Sequence, residues 1–333
     1  MKHPRRRGAN TMVLKEINTR TVLGCLRESG TATVRELAQQ SGLSVVTVKA
    51  IVEDLVHQEK AFSGGKAPSS GDRPSQRYIF NKRHTLGMAV FTREVNGGDT
   101  VFLRVVDLCG ETIDAVSCEL SAPEPEVLER IIGEKVREFP RLGAIVLGLP
   151  GIEYKGDILA LDYQSFVGLP LAKHLRTRFE IPVVVENDVN AAVLGRECEA
   201  YIYFPRKYPP GAGLRIEGKL LKGHRHFAGE VGWLPLGISW GPEIADSFEA
   251  CCSAAARVTA SVTALIDPAS IVLYGEHLGE DHLRRIRDIY QALLPAQALP
   301  EIHCSEDFTA DFERGLKKIL LDLLEEDLPE ADP

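Results

Sequence analysis

The chain has 333 residues, 44% of them hydrophobic and 26% charged, which is the balance of a folded globular protein and excludes global disorder. Its formal net charge of -8 hides a division: residues 1–86 carry 15 Lys and Arg against 7 Asp and Glu, leaving the remainder at about -16. No apolar run approaches a membrane span and no signal-peptide core opens the chain, and the seven cysteines (25, 109, 118, 198, 251, 252 and 304) lack metal-ligand spacing. Reduced thiols, a cytoplasmic location, no membrane partner and no bound metal are the expectations.

The basic stretch from Met1 to Asn10 is expected to be a disordered tail, with residues 1–13 outside the first folded unit. Lys15 to Glu28 predicts a helix with Ile17, Val22, Leu23 and Leu26 as its apolar stripe. From Thr33 to Glu59 two further helices are predicted. Val34, Leu37 and Ala38 share a face of the first, Gly42 interrupts the period, and Val48, Ile51, Val52 and Leu55 restart it. Ser44 stands at the N-cap position, and Gly42 supplies the positive φ that a tight interhelical turn favours. Two helices joined by a short glycine-containing turn make a helix-turn-helix.

With Val48 and Ile51 turned inward, Ser44, Val45, Val46, Thr47 and Lys49 are the residues offered to base edges or phosphates in a major groove. Two short strands, AFSGG and RYIFN, flank the polar tip KAPSSGDRPSQ and read as a β-wing. Arg73 in that tip suits a narrow minor groove. Residues 14–82 are thus expected to form a winged helix-turn-helix that binds double-stranded DNA, a basic head on an acidic body.

From Thr85 onward strands alternate with helices over residues 83–333, an α/β pattern. GMAVFT, TVFLRVVDL, TIDAVSCEL, AIVLGLPG, IPVVVEND, Tyr201–Phe204, Ala212–Ile216 and SIVLYG read as strands. Helices are expected over Pro125–Phe139, Leu169–Phe179, Val189–Arg196, Phe248–Leu265 and Asp307–Leu324, the second half repeating the theme of the first.

Four features occur in order: the winged helix, ENDVNAA (Glu186–Ala192), FAGEVGW (Phe227–Trp233) and ALIDPASIVLYG (Ala264–Gly275). In order and spacing the chain resembles the ROK family of bacterial sugar kinases and sugar-responsive repressors. The resemblance implies a two-lobed, actin-like ATPase (RNase H-like) trunk with a sugar cleft between its lobes. It places Asp188 at the position of the general base of the kinases, and Asn187 and Glu230 at sugar-hydroxyl contacts. The same Asn187 and Asp188 also suit capping of the helix that begins near Val189.

The chain departs from the kinases at several points. Ala89 and Phe91 stand where an Asp and a Gly of the first phosphate turn would be, and Pro209 and Pro210 interrupt the second phosphate loop. Proline offers no amide hydrogen to a phosphate. These losses predict that the chain is no enzyme and needs no cofactor. Trp233 replaces the family's zinc-site His, and either stacks on a pyranose face or plugs the vacated site.

The resulting expectation is a transcriptional regulator, a repressor acting as a homodimer on a palindromic operator. A sugar or sugar phosphate is its expected effector, bound at Asn187, Asp188, Glu230 and Trp233. The alternatives are a residual sugar kinase and a trunk that serves only as a dimerisation or protein-binding scaffold.

Overall fold

A computed structural model describes residues 6–66, 75–95, 98–120, 124–154, 157–160 and 164–326. The head opens with α1 (Arg6–Ser29), the short strand β1 (Thr31–Thr33), α2 (Val34–Ser41) and α3 (Val45–His57). The wing strands β2 (Ala61–Lys66) and β3 (Gln76–Phe80) complete it. Within the stretch 1–13 expected as a tail, α1 begins at Arg6, and residues 1–5 lie outside the described residues. No proline falls between Arg6 and Lys15, so nothing in that stretch breaks the helical ladder.

Local chemistry sets the helix ends. Thr33 and Glu36 form a reciprocal capping box at α2, the Glu36 amide donating to Thr33 Oγ1 at 3.3 Å and the Thr33 amide to Glu36 Oε2 at 2.7 Å. Gly42 closes α2 at φ 71°, the left-handed conformation that the turn requires. Val22, Leu26, Leu37, Val48, Val52 and Leu55 are all fully buried in one core under a three-stranded antiparallel sheet of order β1-β3-β2.

The trunk has two lobes. The first comprises β4 (Leu86–Val95), β5 (Gly98–Val106), β6 (Thr112–Leu120), α4 (Pro125–Glu138), β7 (Leu142–Leu149), the hairpin β8 (Ile152–Tyr154) and β9 (Asp157–Ala160), α5 (Leu171–Phe179) and β10 (Val183–Asn187). Helix α6 (Asp188–Leu194) leads into the second lobe: β11 (Ala200–Tyr203), β12 (Gly211–Ile216), β13 (Lys219–Leu220), α7 (Pro242–Ala245), α8 (Phe248–Ile266), β14 (Ser270–Tyr274), α9 (Glu280–Gln291) and β15 (Glu301–Cys304). The closing helix α10 (Phe308–Glu326) returns to the first lobe.

The two main sheets share one topology. The first runs β10-β7-β4-β5-β6 and the second β13-β12-β11-β14-β15. Counted within each lobe, both have the strand order 3-2-1-4-5, with the fourth and fifth strands parallel to the first and the second antiparallel to it. This is the actin-like, sugar-kinase-type α/β trunk that the resemblance implied.

Helix α10 locks α6 in place. Phe308, Phe312, Leu316 and Leu320, four residues apart, bury one stripe of α10 between the lobes. On its crossing with α6, a Cβ at Gly315 would lie 1.7 Å from the Ala191 carbonyl oxygen, and one at Gly195 would lie 2.0 Å from that of Asp311. Only glycine permits this approach. It fixes where the N-terminus of α6, with Asn187 and Asp188, meets the space between the lobes.

Candidate functional site

At the head, Ser44 caps α3 by accepting the Thr47 amide at 3.1 Å, and the Ser44 and Thr47 hydroxyls lie 2.8 Å apart. Val48, Ile51, Val52 and Leu55 consume the inward face of α3. The outward face carries Val45, 55% exposed, and Val46, 80% exposed, two apolar side chains without a core to enter. Lys49 is exposed beside them, 3.9 Å from Glu53, a surface pair of small energetic weight. Ser44, Val45, Val46, Thr47 and Lys49 therefore share one accessible helix end. Arg73 lies outside the described residues.

Between the lobes is a cavity of about 460 Å³. The first lobe contributes Pro150 and Gly151 after β7 and the Glu186–Asn190 stretch at the β10–α6 junction. The second contributes Tyr203, the Tyr208–Ala212 loop and residues between His226 and Trp233. Asn187, Asp188, Glu230 and Trp233, far apart in sequence, all line it.

Asn187 is the N-cap of α6, its Oδ1 accepting the amides of Val189 at 2.9 Å and Asn190 at 3.0 Å. Its Nδ2 donates to the Gly151 carbonyl at 2.8 Å, so this side chain braces the cavity wall as well as lining it. Asp188 is 9% exposed, with Oδ1 accepting the Val189 amide at 2.8 Å. Burial, reinforced by the charge of Glu230, pushes its carboxyl up to about 7. Burial also raises the Glu230 carboxyl. With its carboxyl raised to about 7, Asp188 can exchange a proton near neutral pH, as a base for a sugar hydroxyl requires.

Trp233 is 74% exposed at the rim, with its ring centroid 6.4 Å from that of Phe227. The plug reading is therefore corrected. The short 3-10 turn Val231–Trp233 buries Val231 and leaves the indole outside.

The motif reading passed over the ion pair of Glu186 with Lys222 at 2.7 Å, although Glu186 opens ENDVNAA and Lys222 ends the run GKLLK. It also passed over Arg93. From β4 its guanidinium donates to Tyr274 Oη at 2.9 Å and Glu276 Oε1 at 3.3 Å, and sits 5.4 Å from the Phe308 ring centroid. Lys207 pairs with Glu94 at 2.7 Å, a second tie between the lobes. The alternation of β4 carried no sign of either partner. Ala89 and Phe91 are fully buried, and Phe91 stacks on Phe102 with centroids 4.9 Å apart.

Among the described residues no three His, Cys, Asp or Glu side chains come together as a metal-binding set, so the zinc implied by the resemblance has no fitting ligands there. Nor is any described helix long and apolar enough to cross a membrane.

A ROK family model matches residues 95–253. The chain is 24% identical over 296 residues to the xylose repressor of Bacillus spizizenii, covering 84% of this chain and 75% of that one. It spans 60% and 59% of the length of two Caldicellulosiruptor xylose repressors. Over 111 residues it is 35% identical to the N-acetyl-D-glucosamine kinase of Vibrio atlanticus, which covers 30% of this chain and 36% of the kinase. The fold is shared with the crystal structure of a ROK family transcriptional regulator described as a homolog of the E. coli MLC protein. That match has a TM-score of 0.66 at 17% identity and covers 95% of this chain and 98% of the other.

The expectation that the chain is no enzyme is overturned by the kinase relatives, whose likeness is consistent with retained catalytic capacity. That expectation weighed two short loops. Asp188, the expected proton acceptor, keeps its place in the cavity with a carboxyl tuned near neutrality. Residues 95–253 thus match the ROK family, whose members act as sugar-responsive transcriptional regulators or as sugar kinases, and the chain has the fold of a ROK family regulator.

Proposed function

We propose that this protein is a DNA-binding transcriptional regulator, a repressor, whose interlobe cavity binds a sugar or sugar phosphate. In this reading residues 14–82 form the DNA-binding unit and 83–333 the sensing trunk. A cytoplasmic homodimer places two α3 helices on a palindromic operator. The observation that carries it is the bare end of α3: Val45 and Val46 stand exposed beside Lys49 in a basic head, a face with no use inside the fold. Valine methyls suit thymine methyl groups, and Lys49 suits a guanine edge or a phosphate. The likeness to xylose repressors along most of the chain supports the same assignment.

The test is duplex binding by filter retention across a salt series. The full chain should bind with an affinity that falls steeply with salt, and removal of residues 1–86 should abolish binding. Retention of binding by the truncated chain contradicts the proposal. Thermal shifts with pentoses, hexoses, N-acetylhexosamines and their phosphates, xylose and N-acetyl-D-glucosamine included, identify the effector class. Equal melting temperatures across the panel would favour a trunk that acts only as a scaffold.

A second reading, phosphorylation of a sugar hydroxyl, is favoured by Asp188. Its buried carboxyl, held up to about 7, is poised as a general base. Transfer of the ATP γ-phosphoryl group to N-acetyl-D-glucosamine or another sugar of the panel, lost in Asp188→Asn, would establish it. No ATP-dependent product with any sugar would exclude it.

A further inference from the structure

A cavity of about 520 Å³, the size of a metabolite site, lies where the head meets the trunk, well apart from the cleft residues. Helix α1 supplies Arg20, Leu23, Gly24 and Arg27, the wing end supplies Lys60 and Phe80, and the trunk supplies Thr85, Leu108, Gly143 and Leu324. We propose that this cavity binds a small anionic ligand with an apolar body, a phosphate monoester or an aryl carboxylic acid, and that the ligand ties the head to the trunk.

Charge and shape argue for that class. Arg20, Arg27 and Lys60 face one space together with a single carboxylate, Glu325, which pairs with Arg27. Among the described residues Lys60 has no ion-pair partner. His84 lines the same cavity, and burial first, then the charges of Lys60 and Arg141, hold its imidazole below its usual range. Leu23, Phe80, Leu108 and Leu324 give the remaining walls an apolar character. An anion with a hydrophobic body satisfies both halves, whereas a neutral sugar would leave the Lys60 ammonium without a counter-charge.

Gly24 is a second, independent observation. It sits in the interior of α1, where glycine disfavours the helix, yet a Cβ there would meet nothing within 4 Å. Packing does not exclude a side chain at this position; a side chain would instead enter the cavity. Leu108, on the trunk, packs against both the head core and the interlobe core, so a ligand against it touches the joint itself. Through Arg27 and Glu325 the ligand also competes for the ion pair that links α1 to the end of α10.

The binding claim stands by itself; its regulatory consequence rests on the DNA-binding reading above. Titration calorimetry of the full chain with 1-naphthyl phosphate tests the site, with inorganic phosphate and 1-naphthol as half-ligands. We expect one saturable site, at least tenfold tighter for naphthyl phosphate than for either half, and weakened at least tenfold in both Lys60→Ala and Gly24→Leu. Absence of saturable binding, or wild-type affinity in both variants, overturns the proposal. Binding that appears only after removal of residues 327–333 would assign the cavity to the chain's own acidic C-terminus and overturn it as well. A parallel duplex titration reads the coupling: a normal isotherm with no duplex bound by the unliganded chain points to failure of the DNA-binding reading, not of the site.

Discussion

Two helices of this protein begin with the same device and end in opposite circumstances. Ser44 caps α3 and Asn187 caps α6, each with a side-chain oxygen accepting amides of the first turn. After the cap, α3 exposes Val45 and Val46, while α6 buries Asp188 and Val189. The cap is a local property and needs only the residue type. Exposure is a tertiary property: α3 has a core on one side only, whereas α6 is enclosed by α10, β12 and both lobes. Enclosure turns the same kind of helix start from a surface for recognising a partner into a wall that tunes a carboxyl group.

The contrast can be broken hardest at the enclosure of α6. Gly315→Ala puts a methyl group into the Ala191 carbonyl, so a change that ordinarily favours a helix should here cost about 3 kcal/mol or more, read by chemical denaturation. On the head, Leu37→Ala empties a fully buried position between α2 and the first helix and should cost about 3 kcal/mol. Its effect should appear as loss of duplex binding, with sugar-induced thermal shifts retained.

Asp188→Asn sharpens the contrast through pH. The Asp188 carboxyl is raised from 3.8 to about 7 in the fold, so the folded state holds a proton that the unfolded chain releases between those values. Its contribution to stability is therefore greatest below about pH 4 and declines as pH rises towards 7. The Asn variant, neutral throughout, should lose that decline and gain on the order of a few kcal/mol over the wild type at pH 8, by urea denaturation. An unchanged stability–pH profile would show that Asp188 is ionised normally in the fold. The smallest effect is expected at the exposed cap, where Ser44→Ala should cost about 1 kcal/mol and leave the cleft untouched.

The head was legible because its determinants are local. Gly42 at positive φ, Ser44 at the cap and the spacing of Val48, Ile51, Val52 and Leu55 each act within a few residues, and the structure carries all of them. The cleft was legible only through motif order, since nothing in the sequence brings Glu230 to Asp188. Strand β1 escaped notice because three residues carry no alternation. Helix α9 escaped because its buried stripe is narrow, with Ile286 and Tyr290 buried amid charged residues. Trp233 was ambiguous because burial of an indole depends on what packs over it, and here it stays 74% exposed beside Phe227. The cavity at the head–trunk joint was invisible for the same reason: Arg20, Lys60 and Leu324 meet only in three dimensions.

The most direct measurement of the central claim is enrichment of bound sequences from a random duplex pool by the full chain and by the double variant Val46→Asp, Lys49→Glu. The wild type should enrich inverted half-sites whose centres lie about one helical turn apart. The double variant, with an unchanged melting temperature, should enrich none. A wild-type chain that selects no sequence, or a variant that selects the same half-sites, would contradict the assignment of α3 as the reading helix.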